Sequence, residues 1–444
     1  MMRRFVRFPR PAGAHEMFWD CVPGAALRLP PANFRKPSGF REEMARDYGG
    51  LDPPAEYSPA VEILCQAYRV TSWAKNFPKT EAALREGIAQ RLHLGAQIYI
   101  SQHAHVLAHD AIGEVNPGEP LRTDHVMLWL SAGKPITAVA IAMLVENGKL
   151  DIDAFVSRYL PEFAQGGKEK VTVRHLLTHT GGFRGADLLP TTRSWPEMIA
   201  EICRSPIERS WVPGEKAGYQ LHASWFVLAE VVRRLDGRDF SKYVREKIFE
   251  PLAMKDSWIG MPAEQFRKYG SRLAPIYNTS DGMFKLHAAW NRPENWIEPR
   301  PGSNACGPMA NLGKFYESLL GFHPLLTPTT VKLFTQRQRV GMFDETFQHR
   351  VDLGLGFIIN SNRYGVETVP YGYGRYASEK TFGHSGSQSS SAFADPEHGL
   401  AVAWACNGMP GELRHQKRAR AINAAIYEDL GLPGATESAA EIKT

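Results

Sequence analysis

The chain reads as an α+β protein: one antiparallel sheet flanked by terminal helices, with a helical domain across a cleft. Two observations predict this. Strand patterns recur near both ends, at residues 96–109 and 391–405, while residues 150–330 read as helices punctuated by Pro and Gly. Strands so far apart can share a sheet only if the helical stretch is inserted between them. With 444 residues, 43% of them hydrophobic, the chain can bury a large core and is long enough for two or more domains.

Taken in order, residues 1–79 form an irregular N-terminal extension, because nine of the first 60 residues are proline. Its aromatics, among them Phe18, Trp19, Phe34, Tyr48 and Tyr57, suggest that it packs on the body, since disordered segments lack them. Residues 80–444 form the main domain, with the helical subdomain of about 150–330 inserted in it. Glu81 to His93 has helical periodicity. Ala96–Ile100 and Val106–His109 read as strands joined at 103–105. An amphipathic helix is expected at about 222–236. Ser391–Ala394 and Leu400–Ala405 flank Asp395-Pro396-Glu397-His398-Gly399, a hairpin turn, and a last helix spans roughly 413–430.

Composition narrows the function classes. The net charge of +5 is nearly balanced and the short basic clusters are scattered, which argues against nucleic acid as a partner. Cys21, Cys65, Cys203, Cys306 and Cys406 are widely spaced and odd in number, so neither a disulfide framework nor a zinc knuckle is expected, and a reducing compartment is. No apolar run approaches membrane-spanning length. The basic start has no hydrophobic core of a secretory signal, and Pro9, Pro11 and Glu16 weaken a transit-peptide reading. The expected location is cytoplasmic; oligomeric state is left open.

The chemistry points to Ser131-Ala132-Gly133-Lys134, which opens a stretch apolar nearly all round up to Val145, as in a helix buried inside a large domain. Pro135 suits its first turn. A serine hydroxyl needs a base within hydrogen-bond reach, and a lysine one turn on shares its face. Two fixed positions in four are a weak signal, and Ser72-Trp73-Ala74-Lys75 matches too. That copy has no apolar helix after it, so Ser72 reads as a surface or capping serine.

With Ser131 and Lys134 in view, the chain resembles the serine β-lactamase and penicillin-binding-protein superfamily, over about residues 80–430. The closer resemblance is to its class C-like branch, which also holds family VIII carboxylesterases, D-aminopeptidases and lovastatin-type acyltransferases. Ser131-Ala132-Gly133-Lys134 matches the S-x-x-K nucleophile motif. The string Val173-Arg174-His175-Leu176-Leu177-Thr178-His179-Thr180-Gly181-Gly182 looks like the branch's far more specific "HLLTHTGG" stretch. Pro213-Gly214 before Tyr219 is similar to its "PG…Y-x-N" segment, and Gly383-His384-Ser385-Gly386 stands where K-T-G or H-x-G is found. The resemblance implies a β-lactamase/transpeptidase-like fold, with Ser131 as nucleophile and Lys134 and Tyr219 as a coupled base pair, either of which could take the serine proton. It implies that Gly386 lets substrate approach the backbone and that the amides of Ser131 and Ser387 form the oxyanion hole. His384 would shape the pocket and assist the leaving group. Ser385 as a second nucleophile is rejected, because a nucleophile elbow needs a further glycine and a strand-to-helix turn.

Two departures bear on substrate. Gln220-Leu221-His222 stands where the family's asparagine should follow the tyrosine, so either Leu221 replaces it or an extra residue puts His222 near its place. His384 stands for a lysine, removing a permanent cation that would grip a substrate carboxylate. Both favour a neutral ester, or an acyl group without a free carboxylate. His175 and His179 have the i, i+4 spacing of zinc ligands but no third partner, so no metal and no cofactor is expected. His103, His105 and His109 fall near a hairpin tip and should face solvent.

The expectation is therefore a serine hydrolase working through an acyl-enzyme, a carboxylesterase on small or medium acyl esters. The rivals are an acyltransferase passing the acyl group to an alcohol or amine, a D-amino-acid amidase or peptidase or weak β-lactamase, and a catalytically idle binding protein.

Overall fold

The structure, a computed structural model, describes residues 72–188 and 193–432, so most of the Pro-rich extension lies outside the described residues. From Trp73 onward these residues belong to one compact unit. The elements that position the site are, in chain order, α1 (Pro78–Ala89), β1 (Gly95–Gln102), β2 (His105–Asn116), β3 (Glu119–Pro120), α2 (Lys134–Glu146), α3 (Ala223–Asp236), α4 (Met309–Leu319), β4 (Ile358–Ile359), β5 (Phe382–Gly386), β6 (Ser390–Asp395), β7 (Leu400–Cys406) and α5 (Glu412–Asp429).

The strands form one antiparallel sheet in the order β4-β5-β6-β7-β1-β2-β3. Its two halves come from opposite ends of the chain and meet at β1–β7, where Ala96 lies opposite Cys406 and Gln102 opposite Leu400. An antiparallel sheet built from distant segments is thus as the sequence predicts. Residues 103–104 close the first hairpin, and His103, His105 and His109 are exposed there.

Side-chain alternation sorts the two faces. Ile98, Ile100, Val402 and Trp404 pack with Leu84 of α1 and Ile422 and Ile426 of α5. Tyr99, Ala401, Ala403 and Ala405 pack on the other face with Leu312 and Phe315 of α4. Both faces are covered, which is why β7 reads as an unbroken apolar run. Trp73 and Phe77 join the first cluster, so the packed body reaches into the segment assigned by sequence to the extension. The side chain of Ser72 lies outside the described residues.

Further short strands are ones that periodicity does not reveal. Met127–Leu128 and Trp258–Ile259 flank Ala305–Gly307 in a small three-stranded sheet, each strand too short to show a period of two. Among the described residues no helix is long and apolar enough to cross a membrane.

The junction of β7 and α5 is testable. Trp404 is fully buried and its indole N–H donates to Asn423 Oδ1 at 2.8 Å. Trp404→Ala is expected to lower the unfolding free energy by about 3–5 kcal/mol in a denaturant titration.

Candidate active site

The site begins where the chain passes from the small sheet into α2. Trp129 is pinned twice: its amide donates to Ala305 O at 2.8 Å and its indole N–H to Gly307 O at 2.8 Å. Leu130 follows with φ +53°, a left-handed conformation costly for a branched side chain, and it is buried. That turn delivers Ser131 into a single 3-10 turn, Leu130–Gly133, from which α2 continues at Lys134. Three residues per turn sets positions i and i+3 in line, so Ser131 and Lys134 are eclipsed. Their Oγ and Nζ are 3.0 Å apart. α2 is buried from Lys134 to Leu144, as its all-round apolar sequence requires.

Lys134 is sealed from solvent, and its nitrogen also lies 2.7 Å from Gly302 O and 3.0 Å from Leu221 O. Both carbonyls can only accept. A neutral amine has two N–H groups and one lone pair, so with both N–H groups donated the lone pair faces the Ser131 hydroxyl. Burial pushes the Lys134 amine down to about 7, against a smaller upward pull from the Asp187 carboxylate.

Tyr219 comes from a segment braced on all sides. Its amide donates to Asp344 Oδ1 at 3.0 Å, and its carbonyl accepts from the Thr346 hydroxyl at 3.0 Å. Its ring lies between those of His179 and Phe347, each 4.6 Å away between centroids. Lys134 Nζ is 5.1 Å from the centre of the same ring. Asp344 is held by Arg339 in a fully buried ion pair, 3.0 Å apart.

The long string at 173–182 is the wall behind this segment. His179 Nδ1 accepts from the Gln220 amide at 2.9 Å, and its carbonyl accepts from Gly218 at 2.9 Å. Thr180 O accepts from Gly214 and from the Trp211 indole. Gly182 has φ +77°, and a Cβ there would stand 2.0 Å from the Trp211 ring, so only glycine fits. His175 instead caps its own short helix through Thr172. The two histidines therefore serve different hydrogen bonds, and among the described residues no group of three or more His, Cys, Asp or Glu could hold a metal.

Around Gln220-Leu221-His222 the two candidates for the asparagine's place have different surroundings. Leu221 contributes its carbonyl to Lys134, while His222 precedes α3 and is the side chain that feels the lysine. Burial first, then the charges of Lys134 and Arg300, drive His222 down to about 3. The amides of Leu221, His222 and Ala223 converge on Asp187 at 2.8, 2.8 and 2.7 Å. Asp187 thus fixes the Leu221 carbonyl and the start of α3 together, and sequence reasoning missed it. No spacing rule links it to Ser131; its only local sign is a carboxylate in an otherwise small and apolar run.

β5 forms the opposite wall. At Gly386 a Cβ would meet Trp129 O and Ser390 Oγ, each at 2.3 Å. The close approach that demands glycine is made by the protein's own Trp129–Leu130 segment. Ser387 follows the last paired residue of β5 and is half-buried, as Ser131 is. His384 is buried, and its Nδ1 sits 2.8 Å from Ser385 O, so that nitrogen carries the proton. Burial, then the neighbouring Lys134, push it down to about 3. At neutral pH His384 is uncharged and its other nitrogen can only accept, so it has no proton to offer a leaving group there.

Known proteins share the sequence pattern and the fold of this chain. The sequence pattern of the family described as Beta-lactamase matches residues 80–426. Esterase EstB of Burkholderia gladioli is 31% identical over 212 residues, which is 42% of this chain and 53% of that protein; the match thus spans about half the relative's length. A putative D-alanyl-D-alanine carboxypeptidase of Escherichia coli K12 is 25% identical over 68% of this chain and 72% of its own. A penicillin-binding-protein homologue from Caulobacter crescentus superposes with a TM-score of 0.65 at 26% identity, covering 80% of this chain and 97% of that one. A family VIII carboxylesterase superposes at 0.67 with 24% identity over the same shares.

Asp187→Ala leaves three amide donors without their acceptor and is expected to cost about 1–3 kcal/mol in a urea titration. An unchanged unfolding midpoint contradicts the bracing role.

Proposed function

The chain belongs to the beta-lactamase family, and from that premise we propose that it is a serine hydrolase acting through an acyl-enzyme, a carboxylesterase on small or medium acyl esters. One observation carries the reading: an amine 3.0 Å from the Ser131 hydroxyl whose two other directions are taken by main-chain carbonyls. Such an amine is a ready acceptor for the serine proton near neutral pH.

In this proposal Ser131 Oγ attacks the ester carbonyl while its proton passes to Lys134. The amides of Ser131 and Ser387 receive the oxyanion. The proton then leaves with the alcohol through Lys134 and Tyr219, whose ring abuts the amine. Water, deprotonated by the same pair, releases the acid. His384 shapes the pocket, and being neutral it offers no permanent charge to a substrate carboxylate. The side chains of Leu221 and His222 bring no carboxamide to hold a peptide or lactam, which supports ester over amide. We place the protein in the cytoplasm, a reading supported by the buried free thiols of Cys203, Cys306 and Cys406.

Incubation with p-nitrophenyl esters is expected to leave an acyl adduct visible by intact mass. Ser131→Ala should lose the adduct and reduce turnover by at least about a thousandfold. Label retained in that variant puts the nucleophile elsewhere, and turnover only with an added alcohol or amine makes the protein an acyltransferase. Protonated Lys134 cannot accept a proton, so kcat/KM should rise about tenfold per pH unit from acid up to about 7 and level off above it. Tyr219→Phe should lower kcat by about 10²–10⁴.

A further inference from the structure

The rim of the site beyond Ser387 has a chemistry that acyl transfer does not use. The Ser387 hydroxyl donates to Glu412 Oε1 at 3.4 Å, and Glu412 is the first residue of α5. The Tyr371 hydroxyl lies 2.7 and 2.8 Å from the two Glu412 oxygens, and the Gln416 amide donates to Oε2 at 3.3 Å. One phenol proton shared by two oxygens, with two long contacts, leaves a carboxylate much of its acceptor capacity.

Glu412 is half-buried, and among the described residues no cation pairs with it. Burial raises its carboxyl, opposed by the hydrogen bonds from Tyr371, Gln416 and Ser387. The basic groups nearby are otherwise committed. His384 is neutral, and His415, whose ring is 6.0 Å from Tyr371, is held neutral by burial and then by Arg418. Arg418 is directed at the carbonyls of Leu92, Gln388 and Gly408 and at the His93 and His415 rings. Arg300 acts at the other end of the site, on His222.

Aromatic rings run from the acylation centre to this carboxylate: Tyr219 to Phe347 at 4.6 Å and Phe347 to Tyr371 at 5.9 Å. A carboxylate that no cation pairs with among the described residues, next to Ser387, is a charge that an ammonium ion complements. We propose that Glu412 forms a cation-binding subsite beside Ser387, so that the preferred substrates are esters bearing an ammonium group. This rests on the esterase reading and gives it a substrate class. The subsite attracts such esters and repels those ending in a carboxylate, each by on the order of tenfold in kcat/KM.

The test uses two matched ester series at mildly alkaline pH. One is p-nitrophenyl esters whose acyl chains end in trimethylammonium, tert-butyl or carboxylate. The other is acetylcholine, its uncharged carbon isostere and an acetate ester ending in a carboxylate. The protein is expected to prefer the cation over its neutral isostere by about tenfold in at least one series. Glu412→Gln, which keeps a partner for Tyr371, should bring that ratio close to one while changing the neutral ester by less than about threefold. No preference in either series overturns the subsite, and so does a variant that slows all three esters equally, since that marks Glu412 as a positioning residue for the Ser387 turn. Should Glu412→Gln fail to fold, salt decides on the unmodified protein: the preference must shrink as ionic strength rises, and a salt-independent preference overturns the proposal. A protein that hydrolyses none of these esters overturns the esterase reading itself, and the subsite with it.

Discussion

A lysine sealed from water beside a serine hydroxyl is the constraint on which this molecule is organised. An ammonium ion in such a place loses its hydration, so the neutral amine is favoured and its basicity falls towards neutral pH. Where that amine points then matters more than its charge. Gly302 and Leu221 supply carbonyls from two segments far from α2 in sequence, and they leave one direction open, towards Ser131. Each part of the surrounding fold can be read as a way of holding that geometry.

The brace is distributed over several elements. The small sheet and the Trp129 indole fix the turn at Leu130, whose left-handed backbone aims Ser131. Asp187 gathers three amides and so fixes the Leu221 carbonyl. The wall at 173–182 and the buried Arg339–Asp344 pair clamp the backbone around Tyr219. β5 closes the other side by packing Gly386 directly on Trp129. Because β1 and β7 join opposite ends of the chain, these walls rest on one continuous sheet.

What the sequence made legible follows from range. Ser131 and Lys134 are three residues apart, and α2, α3, the two hairpins and α5 each carry their own period, so local pattern sufficed. The long string at 173–182 was legible as a family resemblance, and the structure supplies its physical task as the support of Tyr219. Other parts were hidden for reasons that no closer reading could remove. Every residue has a carbonyl, so nothing distinguishes Leu221 or Gly302 as partners of Lys134. Asp187 and Glu412 acquire their meaning only when distant segments converge. Strands of two or three residues are shorter than the period that would betray them. At Gly386 the sequence suggests room for a substrate beside the backbone, and the groups the structure packs there are the Trp129 carbonyl and the Ser390 side chain.

The most direct measurement is an NMR titration of the Lys134 side chain, assigned by its loss in Lys134→Arg. The account predicts a midpoint of about 7, set by burial. A midpoint near the ordinary lysine value of about 10.4 would mean that the amine stays an ammonium ion throughout the neutral range, and that the Ser131 proton goes elsewhere.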